Sequence, residues 1–126
     1  MIRSGLTHTS KMTVDEASTA LTMGSGDLPV LATPAIMALM ENAAMLAVSP
    51  HLPQEFTTVG GHIEASHLRP SLPGDIITAT AEVTAVEGKK IQFDITAHCG
   101  ETLLAKGSHT RFVVNREKFI TQINNK

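Results

Sequence analysis

The chain has 126 residues, of which 42% are hydrophobic and 17% are charged, and its formal net charge is −2 at pH 7. This length suits one domain with one core, so we expect a single domain over residues 1–126. The slight acidic excess and the lack of Trp and Tyr argue against a nucleic-acid partner, which favours basic patches and aromatic stacking platforms.

The N-terminal sequence MIRSGLTHTSK has no apolar core of the kind that targeting signals contain. Cys99 is the only cysteine, which excludes an internal disulfide and is compatible with a reducing compartment. We therefore expect a cytoplasmic protein that neither enters nor spans a membrane.

The first predicted element is a strand over residues 6–14, LTHTSKMTV, in which residue types alternate and Thr and Val are frequent. MGSGD at residues 23–27 has the composition of a turn. Residues 28–31 are predicted to be short and extended.

A long helix is predicted from Pro34 to about Val48. Thr33 suits the N-cap and the proline suits the first helical position, and a serine–proline step after the helix ends it. The segment is apolar on nearly all sides, which is typical of a buried helix. It is too short and too polar to cross a bilayer, because it contains Glu41.

Four strands are predicted next, each rich in Thr, Val or Ile and bounded by turn residues: 56–68, 75–87, 90–100 and 102–114. EGKK at residues 87–90 predicts a hairpin, and connections this short predict antiparallel neighbours. The tail either adds a turn of helix or frays. Only a curved antiparallel sheet can wrap such a helix, so we predict an α+β hot-dog fold. The open edges of the sheet favour at least a homodimer.

Glu41 is a charged residue in the middle of a largely apolar predicted helix, and helix burial does not account for it. Burying an unpaired carboxylate is costly, and the helical neighbours at three and four residues, which are methionine or alanine, cannot pair with it. A general base or a nucleophile is a role that needs a carboxylate in such a setting. An inert hydrogen-bonded carboxylate at a rim is the alternative.

Two further residues are candidates for chemistry. His67 ends a predicted strand and is equally well explained as an exposed or capping histidine. The Thr33 hydroxyl lies beside the positive end of the helix, where a developing oxyanion would be stabilised. Eight residues of helix rise about 12 Å, so Thr33 and Glu41 of one chain should not touch. Either the chain enters the helix irregularly, or a site combines Glu41 of one subunit with the helix start of another.

Gly60 and Gly61 interrupt a predicted strand, which indicates close approach of a ligand, a bulge or a bend of the sheet. The histidines are scattered and no acidic or cysteine cluster accompanies them. We therefore predict no metal site and no other cofactor.

Three stretches, LATPAIMALMENAA, TTVGGHIEASHLRPSLPGD and AEVTAVEGKKIQFDITAHCGETLLAKGSHTRFVV, resemble the hot-dog thioesterases typified by fluoroacetyl-CoA thioesterase, over roughly residues 10–119. The catalytic Thr and Glu of that family are eight residues apart, and its His follows 26 residues after the Glu. Thr33, Glu41 and His67 have these spacings, inside the matching words TPAIMALME and HLRPSLPG.

The resemblance implies hydrolysis of an acyl-CoA thioester, with a short acyl group, at a Thr/Glu/His site near a dimer interface. It implies that Gly60 lines the acyl end of the pocket and that Arg111 helps to hold the ligand. Arg69 is among the few basic residues that could meet CoA phosphates. The fluoroacetyl-specific member has phenylalanines between its first strand and the helix, whereas residues 16–32 contain no aromatic residue. The resemblance therefore implies thioester hydrolysis without implying fluoroacetyl selectivity.

Other functions stay open for this fold. A hot-dog hydratase or dehydratase uses an Asp with a His five residues later, but Asp27 has Ala32 at that distance. A non-catalytic acyl-CoA binding or sensing module is the second alternative, and a purely structural dimer is the third.

Overall fold

A computed structural model describes residues 1–125, in which five strands form one sheet around a long helix. The strands are β1 (Thr7–Thr13), β2 (Phe56–His67), β3 (Ile76–Glu87), β4 (Lys90–Cys99) and β5 (Thr102–Asn115). The helices are α1 (Ala20–Met23), α2 (Thr33–Val48) and α3 (Arg116–Asn124).

The sheet is antiparallel throughout, with the strand order β1-β3-β4-β5-β2. The predicted hairpin between β3 and β4 is confirmed, and Gly88 adopts the left-handed φ of 61° that its turn requires. β2 does not pair with β3, which follows it in sequence, but with β5, and it therefore forms an edge of the sheet. The predicted α+β hot-dog fold is confirmed.

α2 packs one face into the concave side of the sheet. Its buried residues recur at helical spacing and are Ile36, Leu39, Met40, Ala43, Ala44, Ala47 and Val48. The sheet supplies the facing core residues, the largest of which are Phe93, Ile77, Ile91 and Ile95. The opposite face of α2 is accessible on the single chain, so the prediction of a helix buried on all sides is wrong within one chain.

The start of α2 differs from the prediction. Ala32, and not Thr33, occupies the N-cap position, and no side chain caps the helix. The cause lies in the preceding backbone, because the amide of Leu31 donates to Ser71 O at 2.9 Å and the amide of Ala32 donates to Ser18 O at 2.9 Å. These bonds hold the chain extended up to Ala32, so Thr33 becomes the first helical residue and its hydroxyl is free for another partner.

Residues 16–32 cover the start of α2 and are more ordered than the predicted turn. They contain a 3-10 turn, the short helix α1 and a bridge between Thr19 and Leu31. Two apolar side chains on this segment, Leu21 and Leu28, are more than half exposed. The tail after β5 forms the helix α3, which was one of the two alternatives predicted for it. None of the described helices has the length and hydropathy needed to cross a bilayer.

A hydrogen bond ties the middle of α2 to β1. The hydroxyl of Ser10, a residue that is only 7% exposed, donates to Asn42 Oδ1 at 2.7 Å. This bond explains a polar residue beside Glu41, because Asn42 gives a buried donor its acceptor.

Replacing Asn42 with alanine removes that acceptor, and we expect the free energy of unfolding to fall by about 1–3 kcal/mol. Urea unfolding followed by circular dichroism measures the change. The double variant Ser10→Ala/Asn42→Ala should be more stable than Asn42→Ala alone, since it leaves no buried hydroxyl unpaired. A double variant that is less stable than Asn42→Ala would contradict this role.

Candidate active site

A β-bulge in β2 places glycine residues, which have no side chain, next to α2. The register between β2 and β5 shifts between Gly60 and His62, so that Gly61 is the extra residue. A Cβ placed on Gly60 would lie 3.0 Å from Glu41 Oε2, so a side chain here would meet the carboxylate. A Cβ placed on Gly61 would instead overlap the ring of Phe112. Gly60 thus faces the carboxylate, whereas the missing side chain of Gly61 is explained by packing.

Glu41 points from α2 toward the inner face of β5. Its Oε2 lies 4.0 Å from Nε2 of His109, and its side chain is 41% exposed whereas that of the histidine is 1% exposed. The carboxylate is therefore partly open to solvent in the single chain and is not sealed in the core.

The imidazole of His109 has a fixed protonation pattern. Its Nδ1 lies 2.6 Å from the backbone carbonyl of His62, and a carbonyl only accepts, so Nδ1 carries the hydrogen. Its Nε2 lies 3.2 Å from Nη1 of Arg111, which only donates, so Nε2 carries the lone pair. Burial lowers the pKa of His109; the His62 carbonyl opposes this, the charge of Arg111 lowers the pKa further, and Glu41 raises it.

Arg111 is buried between β2 and β5, at 7% exposure. Its Nε donates to Thr58 Oγ1 at 2.8 Å and its Nη2 donates to the backbone carbonyl of Thr58 at 3.0 Å. Burial lowers the pKa of this guanidinium, and the nearby Glu41 carboxylate opposes that shift. Glu41, Gly60, His109, Arg111 and Thr58 form one cluster, which we call the carboxylate cluster.

A second pair lies at the start of α2. Thr33 Oγ1 is 2.8 Å from Nδ1 of His67. The Nε2 atom of His67 is buried and has no hydrogen-bond partner within the described part of the chain. Burial lowers the pKa of His67, and the backbone of Arg69 acts in the opposite direction. We call Thr33 and His67 the helix-start pair.

A surface depression of about 320 Å³ opens beside the helix-start pair. It is lined on one side by residues of the 20–31 segment, including Val30 and Leu31, and on the other by Arg69. Arg69 also borders a depression of about 660 Å³ that contains Glu101. The side chain of Arg69 is exposed, and it lies beside the helix-start pair but outside the carboxylate cluster.

The seven site residues predicted from sequence thus separate into two groups and two outliers. Thr33 and His67 touch each other, and Glu41, Gly60 and Arg111 lie together, while Gly61 faces Phe112 and Arg69 approaches His67 through its backbone. No hydrogen bond or ion pair joins the two groups within residues 1–125 of one chain. The helical rise of about 12 Å between the Thr33 and Glu41 positions agrees with this separation.

Sequence reasoning missed His109 and Thr58. The signal for His109 was available, because it stands two residues from Arg111 on β5 and alternate residues of a strand share a face. Thr58 could not be found, because its role depends on the pairing of β2 with β5. Within residues 1–125 no group of three His, Cys, Asp or Glu side chains is placed to hold a metal ion.

Comparison with solved structures first defines the fold. A member of the thioesterase superfamily from Thermus thermophilus has the same fold, with a TM-score of 0.91 at 23% identity over 99% of this chain and 93% of that one. That protein and this chain therefore share one fold, a curved antiparallel sheet around a long helix.

Closer relatives define the family. The model of the fluoroacetyl-CoA-specific thioesterases matches residues 14–117. The fluoroacetyl-CoA thioesterase of Streptantibioticus cattleyicolor is 34% identical over 97 residues, which are 77% of this chain and 70% of the relative. A solved structure of the fluoroacetyl-CoA thioesterase FlK has a TM-score of 0.92 and 30% identity, and covers 100% of this chain and 98% of its own. This chain belongs to the fluoroacetyl-CoA-specific thioesterase family, and it is an acyl-CoA thioesterase.

The two adjacent glycines offer a matched test of which one faces the carboxylate. Gly60→Ala places a methyl group against Glu41 Oε2, so we expect the kcat for acyl-CoA hydrolysis to fall by about 10- to 100-fold. Gly61→Ala displaces only Phe112, whose ring is 38% exposed and able to swing aside, so its kcat should stay within about threefold of wild type. Equal losses in both variants would contradict the assignment.

Proposed function

We propose that this chain hydrolyses a short-chain acyl-CoA thioester to the free acid and CoA, with Glu41 as the group that attacks the thioester carbonyl or activates water. The observation that carries the proposal is the position of the Glu41 carboxylate. It lies against the bare backbone of Gly60, next to the buried charge of Arg111, and it is still accessible to a ligand. A structural carboxylate would be satisfied by direct bonds, whereas within residues 1–125 Glu41 makes none shorter than its 4.0 Å approach to His109.

A complete site needs the helix-start pair as well as the carboxylate cluster, and we propose that two copies of the chain supply them. β2 is a 12-residue edge strand, and a long open edge is a template for pairing with another strand. The accessible face of α2 carries the half-buried Met37 and Met45 on either side of Glu41. A second copy that pairs at β2 would cover this face and bring its own Thr33 and His67 toward the carboxylate.

The proposed chemistry starts with the carbonyl of the thioester facing the start of α2. In one route a Glu41 oxygen attacks the carbonyl carbon, the C–S bond breaks to release the CoA thiolate, and water then hydrolyses the resulting anhydride. In the other route Glu41 accepts a proton from the water that attacks the same carbon. In both routes a tetrahedral oxyanion forms, and the Thr33 hydroxyl and the positive end of α2 are placed to stabilise it.

His67 is suited to proton transfer in either route. Because burial lowers its pKa, the imidazole is neutral near pH 7 and can accept a proton. Its contact with the Thr33 hydroxyl fixes the ring, and its buried Nε2 has no other partner in the described residues. We propose that this ring orients the attacking group and protonates the departing thiolate.

We place the acyl group at the carboxylate cluster and the CoA portion beside the helix-start pair. Solved structures of FlK variants contain acetyl-CoA, or fluoroacetate with CoA, which supports a short acyl group here. Thr58, His109 and Arg111 make the proposed acyl position polar, which also disfavours a long alkyl chain. Arg69, exposed beside the helix-start pair, is proposed to meet the CoA phosphates. The cytoplasmic location and the absence of metal and nucleic-acid partners stay predictions.

Replacing Glu41 with glutamine tests the central role, because it removes the charge and keeps the shape. We expect the release of free thiol from acyl-CoAs between acetyl and decanoyl to fall at least about 100-fold. Glu82→Gln is the matched control, since Glu82 is an exposed carboxylate on β3, away from the β2 edge, and its turnover should equal that of wild type. Near-wild-type turnover in Glu41→Gln would end the proposal. Acyl-CoA binding by wild type without thiol release would favour a binding module, and hydration of a crotonyl thioester would favour a hydratase.

Mixing two inactive variants tests whether the site spans two chains. Glu41→Gln and His67→Ala homodimers should each be inactive, and after mixed refolding about one quarter of the wild-type activity should return, because half of the dimers then hold one native site. No recovery, with mixed dimers demonstrated by mass spectrometry, would place Glu41 and His67 of one chain in the same site. A monomeric protein in sedimentation experiments would overturn the shared site.

A further inference from the structure

The mechanism proposed above leaves one buried titratable group without a task. His109 has a fully buried side chain and contacts the two charged groups of the carboxylate cluster. We propose that His109 is a positioning residue, whose neutral imidazole accepts a hydrogen bond from Arg111 and thereby holds the guanidinium beside Glu41. This inference rests on the proposed role of Glu41.

The first step concerns the tautomer. Nδ1 donates to the His62 carbonyl, which lies at the β2 bulge. With the hydrogen fixed on Nδ1, Nε2 of the neutral ring can only accept. The backbone of β2 therefore prepares the imidazole as an acceptor that faces Arg111.

The second step concerns the three nitrogens of Arg111. Thr58 accepts from Nε and Nη2, and His109 accepts from Nη1. Nη1 lies on the Glu41 side, because a Cβ on Gly60 would be 3.6 Å from Nη1 and 3.0 Å from Glu41 Oε2. His109 thus holds the guanidinium nitrogen that borders the proposed acyl position.

The third step concerns charge. A carboxylate at position 109 would also accept from Arg111, but it would neutralise the guanidinium and repel Glu41. A neutral imidazole accepts the same bond and leaves the Arg111 charge directed at Glu41 and the ligand. Protonation would turn Nε2 into a donor and break the bond. The charged or titratable groups around the ring are Glu41 of α2, Arg111 of β5 and His62 of β2, and Phe93 of β4 packs beside it at a ring-centroid distance of 6.0 Å.

Two substitutions separate positioning from packing. His109→Gln keeps an uncharged hydrogen-bond acceptor for Arg111. His109→Leu keeps a side chain of comparable size but removes the acceptor. We expect the kcat of His109→Leu to be about 10- to 100-fold below that of wild type, with a smaller change in KM. The kcat of His109→Gln should be much closer to that of wild type. His98→Leu is the control, since His98 is a half-buried histidine of β4 whose strand partners, Thr78 and Leu103, are not site residues.

A second measurement does not depend on turnover and covers the case in which His109→Leu fails to fold. In wild type at pH 7, ¹⁵N NMR of the imidazole should show hydrogen on Nδ1 and a bare Nε2, and the ring should titrate below the ordinary histidine pKa. Arg111→Lys should shift the Nε2 resonance.

An Nε2–H tautomer or a charged ring at pH 7 would overturn the inference. Equal losses of kcat in the folded leucine and glutamine variants would overturn it as well. If wild type released no thiol from any acyl-CoA, the proposed function would fail, and the NMR experiment would still decide whether His109 holds Arg111.

Discussion

A guanidinium buried between two strands sets the arrangement on which the site depends. A charge removed from water needs hydrogen-bond partners to be tolerated, and each of the three nitrogens of Arg111 has one, from Thr58 of β2 or His109 of β5. The same bonds fix the inner surface where the β2 bulge occurs. Gly60 can approach Glu41 because it has no side chain, and a Cβ there would lie 3.0 Å from Glu41 Oε2.

Much of the fold follows from local patterns, and the exceptions have physical causes. The lengths of the strands, the β3–β4 hairpin and the long helix were predictable from residue period and turn chemistry. The pairing of β2 with β5 was not, because it joins segments about fifty residues apart and depends on the curvature of the whole sheet. The N-cap was misplaced by one residue, because backbone bonds to Ser18 and Ser71 keep Ala32 extended, and these bonds exist only after folding.

The candidate site shows the same division. The resemblance to the thioesterases pointed to Thr33, His67, Glu41 and Gly60, and the structure brings the first two together and the last two together. The tautomer of His109 depends on the carbonyl of His62 on the neighbouring strand, next to a bulge, and no sequence period encodes it. Glu41 itself is less buried than its apolar neighbours suggest, because they surround the helix but cover only one of its faces in a single chain.

The uncapped start of α2 has a consequence for how stability and activity are balanced. Alanine at an N-cap position is about 1 kcal/mol less favourable than serine or aspartate, and Ala32 offers no side-chain acceptor to the first turn. A capping side chain here would occupy the first-turn amides and bring an oxygen or a negative charge toward the place where an oxyanion would form. The helix therefore begins in a way that weakens the fold slightly while keeping its positive end available, a compromise typical of proteins whose stability exceeds what function requires by only a small margin.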